Sequence, residues 1–393
     1  MFDEEHVYVE VEGVILSAMQ FVCFLFLALS LQAAAGQTPK AAPSANMDEL
    51  LSSGIAAQQR HDYKTAIEDY RKVLALQPGL TEVRANLGAA LADAGEFQAA
   101  IEEDTNALAT APDKTAVRMN LALAYYKKGD LPHAREQFET VHAARPADVR
   151  AAVLLGNTDI RLGKEADAAK MLAPLEPGHE SDMDFESVFS YALIQSGKDT
   201  EGIPRMEKVA RATHSADAYV IAGSMRLHRN EFHEARTDLD KALELNPAFP
   251  GVNTLAGEAR EALGDTEAAI PAFQTALRED PNDFTANLYF GTMRLKQRDF
   301  ESARPLLELA VKLQPQAPLA RLEVAKLNSM TGRYAEAAAT LEDLERTDPN
   351  WLDPHIELAL VYYKLHRPED GQREREIVQQ IEAQQQKVGP HKE

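Results

Sequence analysis

A register of thirty-four residues that starts at Met47 constrains this chain more than any other feature. The eighth residue of successive units is Gly54, Gly88, Ala122, Gly156, Ser190, Gly223, Gly257, Gly291, Ala325 and Ala359, and the twentieth is always Ala or Gly. The units run over 47–80, 81–114, 115–148, 149–182, 183–215, 216–249, 250–283, 284–317, 318–351 and from 352 onward, the fifth being one residue short. Glycine inside a helix costs roughly 0.5–1 kcal/mol against alanine, so small residues recurring at one register need a cause. Close approach of two helices supplies it, since a larger side chain there would overpack by about 1–3 kcal/mol.

The unit Thr81–Lys114 serves as the template for the pattern. Val83, Leu87, Gly88 and Leu91 share one helical face that stops near Gly95. Phe97, Ala100, Ile101, Ala107 and Leu108 mark a second helix that breaks at Pro112. An aromatic residue or Leu at the twenty-fourth position and an apolar residue at the twenty-seventh are expected to fill the seam to the next unit. Leu-Gly, Gly, Phe, Ala, Ala and Pro, in that order and at those intervals, resemble the tetratricopeptide repeat. The resemblance covers the chain from Met47 onward. It implies an all-α fold, a right-handed superhelical solenoid of about ten 34-residue helix–turn–helix repeats, of the exported bacterial multi-repeat kind. It also implies a concave groove, lined by the first helices, that binds peptides.

One unit cannot bury its own apolar face, so stability comes from stacking and the last unit must be a cap. Residues 47–182 are expected to hold repeats 1–4, and residues 183–387 repeats 5–10 with a C-terminal capping helix that turns Ile377, Val378 and Ile381 inward. A disordered tail is expected over 388–393. Pro174, Pro177 and Gly178 interrupt the fourth unit where its second helix should continue. They predict either a hinge near Leu175–Asp184 or a degenerate but rigid repeat.

Composition narrows the partners. With 41 basic against 62 acidic residues the net charge is −21, and no basic stripe is present for phosphate contacts, so nucleic acid is excluded as the main partner. The single cysteine, Cys23, can build neither a disulfide framework nor a thiolate metal site. Val14 to Gly36 carries no charge and is followed by the small, Pro-containing stretch 36–46, which reads as a flexible linker. Residues 1–35 are expected to be a signal peptide with a cleavage site at Ala33–Ala35, or an N-terminal membrane anchor over 14–36. Either way the chain is expected to be exported, periplasmic or secreted, touching a membrane only if that segment stays uncleaved. The flank is acidic, with Asp3, Glu4, Glu5, Glu10 and Glu12, where a signal peptide usually has basic residues.

No catalytic signature is present: there is no Gly-x-Ser-x-Gly and no His-Glu-x-x-His. The ten units use up the chain from Met47, so no enzyme domain, cofactor or metal is expected. His228 and His233 fall on either side of an inter-helix turn and read as solvated neighbours rather than ligands. By the resemblance, asparagines on the inner face of successive first helices hold a peptide backbone, and Asn86 and Asn120 occupy the sixth residue of units two and three. Tyr126, Lys127, Arg150 and Asn157 are expected to line the same stretch. Leu51 and Ile55, and one unit later Ala85 and Ala89, stand where the family's carboxylate clamp needs Lys and Asn, which disfavours chaperone-tail binding. Tyr191, Leu288, Tyr289, Leu295, Ile356 and Tyr363 make the later first helices more apolar, as a second protein-binding surface or as packing between helices. The expected function is a non-catalytic scaffold that binds a protein or peptide partner in the groove. The alternative is an accessory or regulatory subunit of an envelope enzyme or of a secretion or assembly complex.

Overall fold

The computed structural model describes residues 44–388, which form twenty α-helices, one 3-10 turn and no strand. The helices come in pairs that follow the repeat. They are α1 Ser44–Gln59 with α2 Tyr63–Leu76, α3 Thr81–Asp93 with α4 Phe97–Leu108, α5 Lys114–Lys128 with α6 Leu131–Ala144, and α7 Val149–Arg161 with α8 Glu165–Leu172. Next come α9 Met183–Gln195 with α10 Asp199–Thr213, α11 Ala216–His228 with α12 Phe232–Leu245, and α13 Val252–Ala262 with α14 Thr266–Glu279. The series closes with α15 Phe284–Lys296 and α16 Phe300–Leu313, α17 Pro318–Met330 and α18 Tyr334–Thr347, and α19 Leu352–Lys364 and α20 Pro368–Val388. Helix α1 starts at Ser44, inside the stretch read as linker, because the helical pattern of the first unit extends backward over Ser44–Asn46. The signal or anchor segment and all of the tail beyond Val388 lie outside the described residues. No described helix is long and apolar enough to cross a membrane.

Each pair turns at its fifteenth residue, which sits in the left-handed region. Gly fills six of these turns (Gly95, Gly129, Gly163, Gly197, Gly264 and Gly332), while His61, Asn230, Arg298 and His366 take the same conformation in the other four. The following N–H then returns to a carbonyl five residues back, Glu96 to Leu91 at 2.8 Å and Asp130 to Tyr125 at 2.9 Å, which satisfies carbonyls the helix end would leave open. In several units that following residue is also an acidic N-cap: Asp130 accepts from the His133 N–H and Asp299 from that of Ser302.

The small eighth residue packs on the twenty-fourth of its own unit, as its recurrence requires. A Cβ added at Gly257 would lie 2.6 Å from Phe273, one at Gly291 2.8 Å from Leu307, and one at Gly54 2.9 Å from Tyr70. The expected aromatic or Leu at the twenty-fourth position fails in the very unit that displays the rest of the pattern. There the residue facing Gly88 is Asp104, with Oδ1 only 2.3 Å from where a Cβ would be.

The chain divides into two compact units, Met1–Met225 and Arg226–Glu393. In the first unit the expected hinge region is packed. Leu172 of α8, Phe185, Val188 and Phe189 of α9 and Met206 of α10 are buried in one continuous core that crosses it. The loop that Pro174, Pro177 and Gly178 create is tied down by charge. Buried Glu186 accepts from Arg205 at 3.1 Å and from Lys208 at 3.0 Å, and the same cations reach Glu176 and the Glu180 carbonyl. In the second unit, separate cores built around Phe273, Leu307 and Leu341 recur along the helix pairs.

Candidate interaction surfaces

The structure places the six residues singled out from the sequence on three successive first helices, α3, α5 and α7, but it uses them differently. Asn86 is half-buried on α3, and its side chain makes no hydrogen bond among the described residues. Asn120, one unit on, lies 3.4 Å from the Ala85 carbonyl, a weak donation that spans α5 and α3. Lys127 is held by Asp93 of α3 at 2.8 Å, so its charge is largely answered within the protein. Arg150 is half-buried in the first turn of α7, where its N–H donates to the capping carboxylate of Asp148 at 3.1 Å.

Tyr126 and Asn157 were expected to line the groove and are instead part of the interior. Tyr126 is 4% exposed and packs edge-on against Phe138, with the Arg161 guanidinium 4.8 Å from its ring centre. Its hydroxyl donates to Asn157 Oδ1 at 2.7 Å. A tyrosine ring gains more by burial than by exposure, and burying it requires a partner for its O–H; Asn157 is that partner. The two are joined to each other across the α5–α7 boundary.

The apolar set further along also divides. Tyr191, Leu288 and Leu295 are buried, so packing between helices claims them. Tyr289 is half-buried and stacks on Phe273 with ring centres 6.2 Å apart. Ile356 and Tyr363 remain 39% and 40% exposed, and Leu360, which the sequence reading passed over, is 57% exposed between them. These three stand at i, i+4 and i+7 on α19 and form one stripe. Leu319 and Met330 are exposed on α17, which packs against α19.

Several carboxyl groups are buried without the usual compensation. Asp104 is fully buried, neither oxygen has a hydrogen-bond partner among the described residues, and burial, with the charge of Glu103 next, pushes it up to about 8. Burial, reinforced by Asp283, does the same to Glu258 on α13, also to about 8. Both groups hold their protons near neutrality.

One cluster among the described residues has the donor set to hold a metal: Glu345 of α18, His355 of α19 and Glu374 of α20, with one donor atom from each lying within 4.8 Å of the others. His355 is 1% exposed. Its Nε2 lies 3.1 Å from the Pro349 carbonyl and its Nδ1 2.7 Å from Glu374 Oε2. The sequence reading missed this group because spacings of ten and nineteen residues match no ligand motif, and only the stacking of three helices joins them.

Models of the tetratricopeptide repeat match residues 51–116, 119–173, 222–284 and 254–318, and a second such model matches 294–361, together more than half of the chain. Among curated proteins, anaphase-promoting complex subunit 3 of Schizosaccharomyces pombe is 23% identical over 150 residues, 38% of this chain. The match spans only 23% of that relative's length. Among solved structures, the C-terminal part of a TPR repeat-containing protein from Cytophaga hutchinsonii is 18% identical, covering 60% of this chain and 97% of that one, with a TM-score of 0.49. The pilF protein of Pseudomonas aeruginosa is 19% identical over 52% of this chain and 94% of its own, with a TM-score of 0.46. YrrB, described as a TPR protein with an unusual peptide-binding site, is 22% identical over 45% of this chain and 91% of its own, with a TM-score of 0.39.

Proposed function

The chain belongs to the tetratricopeptide repeat family, and from that premise we propose that it is a non-catalytic scaffold whose first helices hold a protein or peptide partner. One observation carries this reading. Among the described residues, five of the seven exposed large hydrophobic side chains (Leu319, Met330, Ile356, Leu360 and Tyr363) lie on two adjacent first helices, α17 and α19. The stripe of Ile356, Leu360 and Tyr363 on α19, with further exposed apolar side chains on the helix packed beside it, is where a partner's apolar side chains gain most by docking. The partner's contribution would be an amphipathic or extended segment with apolar residues at matching intervals.

The N-terminal repeats support a second contact region. Asn86 offers an amide whose donor and acceptor are both uncommitted among the described residues, which suits a peptide backbone without reading its side chains. Asn120, Lys127 and Arg150 flank it, whereas Tyr126 and Asn157 serve by holding α5 against α7. Export, with Val14–Gly36 cleaved or kept as an anchor, remains part of the reading and rests on that uncharged run.

Capture of partners with the wild-type chain, followed by affinity measurement on two double variants, tests the proposal. Leu360→Asp with Tyr363→Asp is expected to lower affinity at least about tenfold with the melting temperature unchanged, because both side chains are exposed. Asn86→Ala with Asn120→Ala is expected to cost less, about two- to tenfold. Wild-type affinity in both double variants would remove the first helices from the binding surface.

A further inference from the structure

We propose that Glu345, His355 and Glu374 form a binding site for a divalent transition-metal ion, zinc being the simplest, that ties the last described helix to the two before it. The Pro349 carbonyl only accepts, so the His355 Nε2 at 3.1 Å from it carries a proton. The lone pair of a neutral imidazole then sits on Nδ1, 2.7 Å from a carboxylate oxygen of Glu374. Two acceptors at that distance need a positive centre between them, either a proton or a metal ion. A shared proton would satisfy His355 and Glu374 and leave Glu345 unexplained. Glu345 is half-buried, forms no hydrogen bond or ion pair among the described residues, and brings a second carboxylate to the cluster.

Arg346, the arginine whose charge reaches Glu345, pairs with Asp343 at 3.3 Å. A dication answers both carboxylates and the ring nitrogen at once. One nitrogen and two oxygens suit zinc, with water in the fourth position on the solvent side of Glu345. A ring whose other N–H is fixed by a backbone carbonyl is the usual arrangement of a metal-ligating histidine. Tetrahedral zinc with donors at about 2.0–2.2 Å spaces them roughly 3.3–3.5 Å apart. The 2.7 Å gap would open slightly and the widest separation of 4.8 Å would close by rotation of Glu345. The position is mechanically sensible. Helix α20 is the last one described, and the site would link it to α19 and α18.

The test is zinc titration of the metal-stripped full chain, read by calorimetry and by melting temperature, beside Glu345→Gln. The wild type is expected to bind one zinc at least about tenfold more tightly than the variant and to melt several degrees higher with zinc. Without metal the variant should melt at or above the wild type, since its side chain contributes no bond to lose. Equal zinc affinity in the two proteins, or no rise in melting temperature on adding zinc, would overturn the site and leave a proton shared between His355 and Glu374.

Discussion

Asp104 shows how much one position can depart from its repeat. It occupies a place that Tyr70, Phe138, Leu172, Phe273, Leu307 and Leu341 fill with apolar bulk, and it is buried there without a hydrogen-bond partner among the described residues. Its folded-state carboxyl titrates at about 8, far above the usual carboxylate range, because ionising it in place would bury an unpaired charge. The folded chain therefore holds a proton that the unfolded chain releases near pH 4. Stability is expected to fall as pH rises from about 4 through 8, by a total of the order of a few kcal/mol. Asp104→Leu is expected to restore the apolar position, to stabilise the chain by about 1–3 kcal/mol at pH 7, and to flatten that slope, which urea melts at pH 5 and pH 8 would measure. Arg298 is a milder case. It adopts φ +60 where most units use Gly, so Arg298→Gly is expected to add about 0.5–1 kcal/mol in the same melts. The small eighth residue was legible from the sequence because recurrence makes a steric demand visible. The Asp104 environment was not, because a lone departure looks like surface charge until its burial is known.

At the level of single helices and their joints, regular spacing could be read reliably and side-chain destination could not. The helix pairs fall where Gly, Pro and apolar spacing place them, with α1 beginning three residues early at Ser44. Tyr126 and Asn157 were on the anticipated helices, yet a helix end has two faces, and the burial of an aromatic ring decided which one Tyr126 took. Tyr126→Phe is expected to destabilise by about 1–3 kcal/mol, by stranding the buried Asn157 oxygen, while leaving partner affinity unchanged. Thermal melts and a binding isotherm on the same protein check both halves. The joint near Leu175–Asp184, expected as either a hinge or a rigid repeat, illustrates the same limit. Its prolines shorten α8, as the sequence implies, but the buried Glu186 with Arg205 and Lys208 comes from helices on the far side of the loop and holds it. Leu360 was missed beside Ile356 and Tyr363, although its i+4 spacing from Ile356 was there to find.

Within each compact unit, helix pairs stack on their neighbours around local cores, and some first-helix side chains are left that packing does not consume. In the second compact unit those side chains are apolar and gathered on α17 and α19; in the first they are polar and partly committed to one another. No motif in the sequence separates these two conditions, since both are written in residues a packed helix could equally bury. The final helix pair is also where the metal site proposed above would act, and zinc-dependent melting of the full chain reads that contribution directly. The central claim is that the partner is held by exposed first-helix side chains. A photo-activatable cross-linking residue placed singly at Leu360, at Asn86 and at the outward Gln274 of the second helix α14 tests it most directly. The account predicts strong cross-linking to the partner from 360, weaker cross-linking from 86 and none from 274. Cross-linking from 274 alone, with none from 360 or 86, would contradict it.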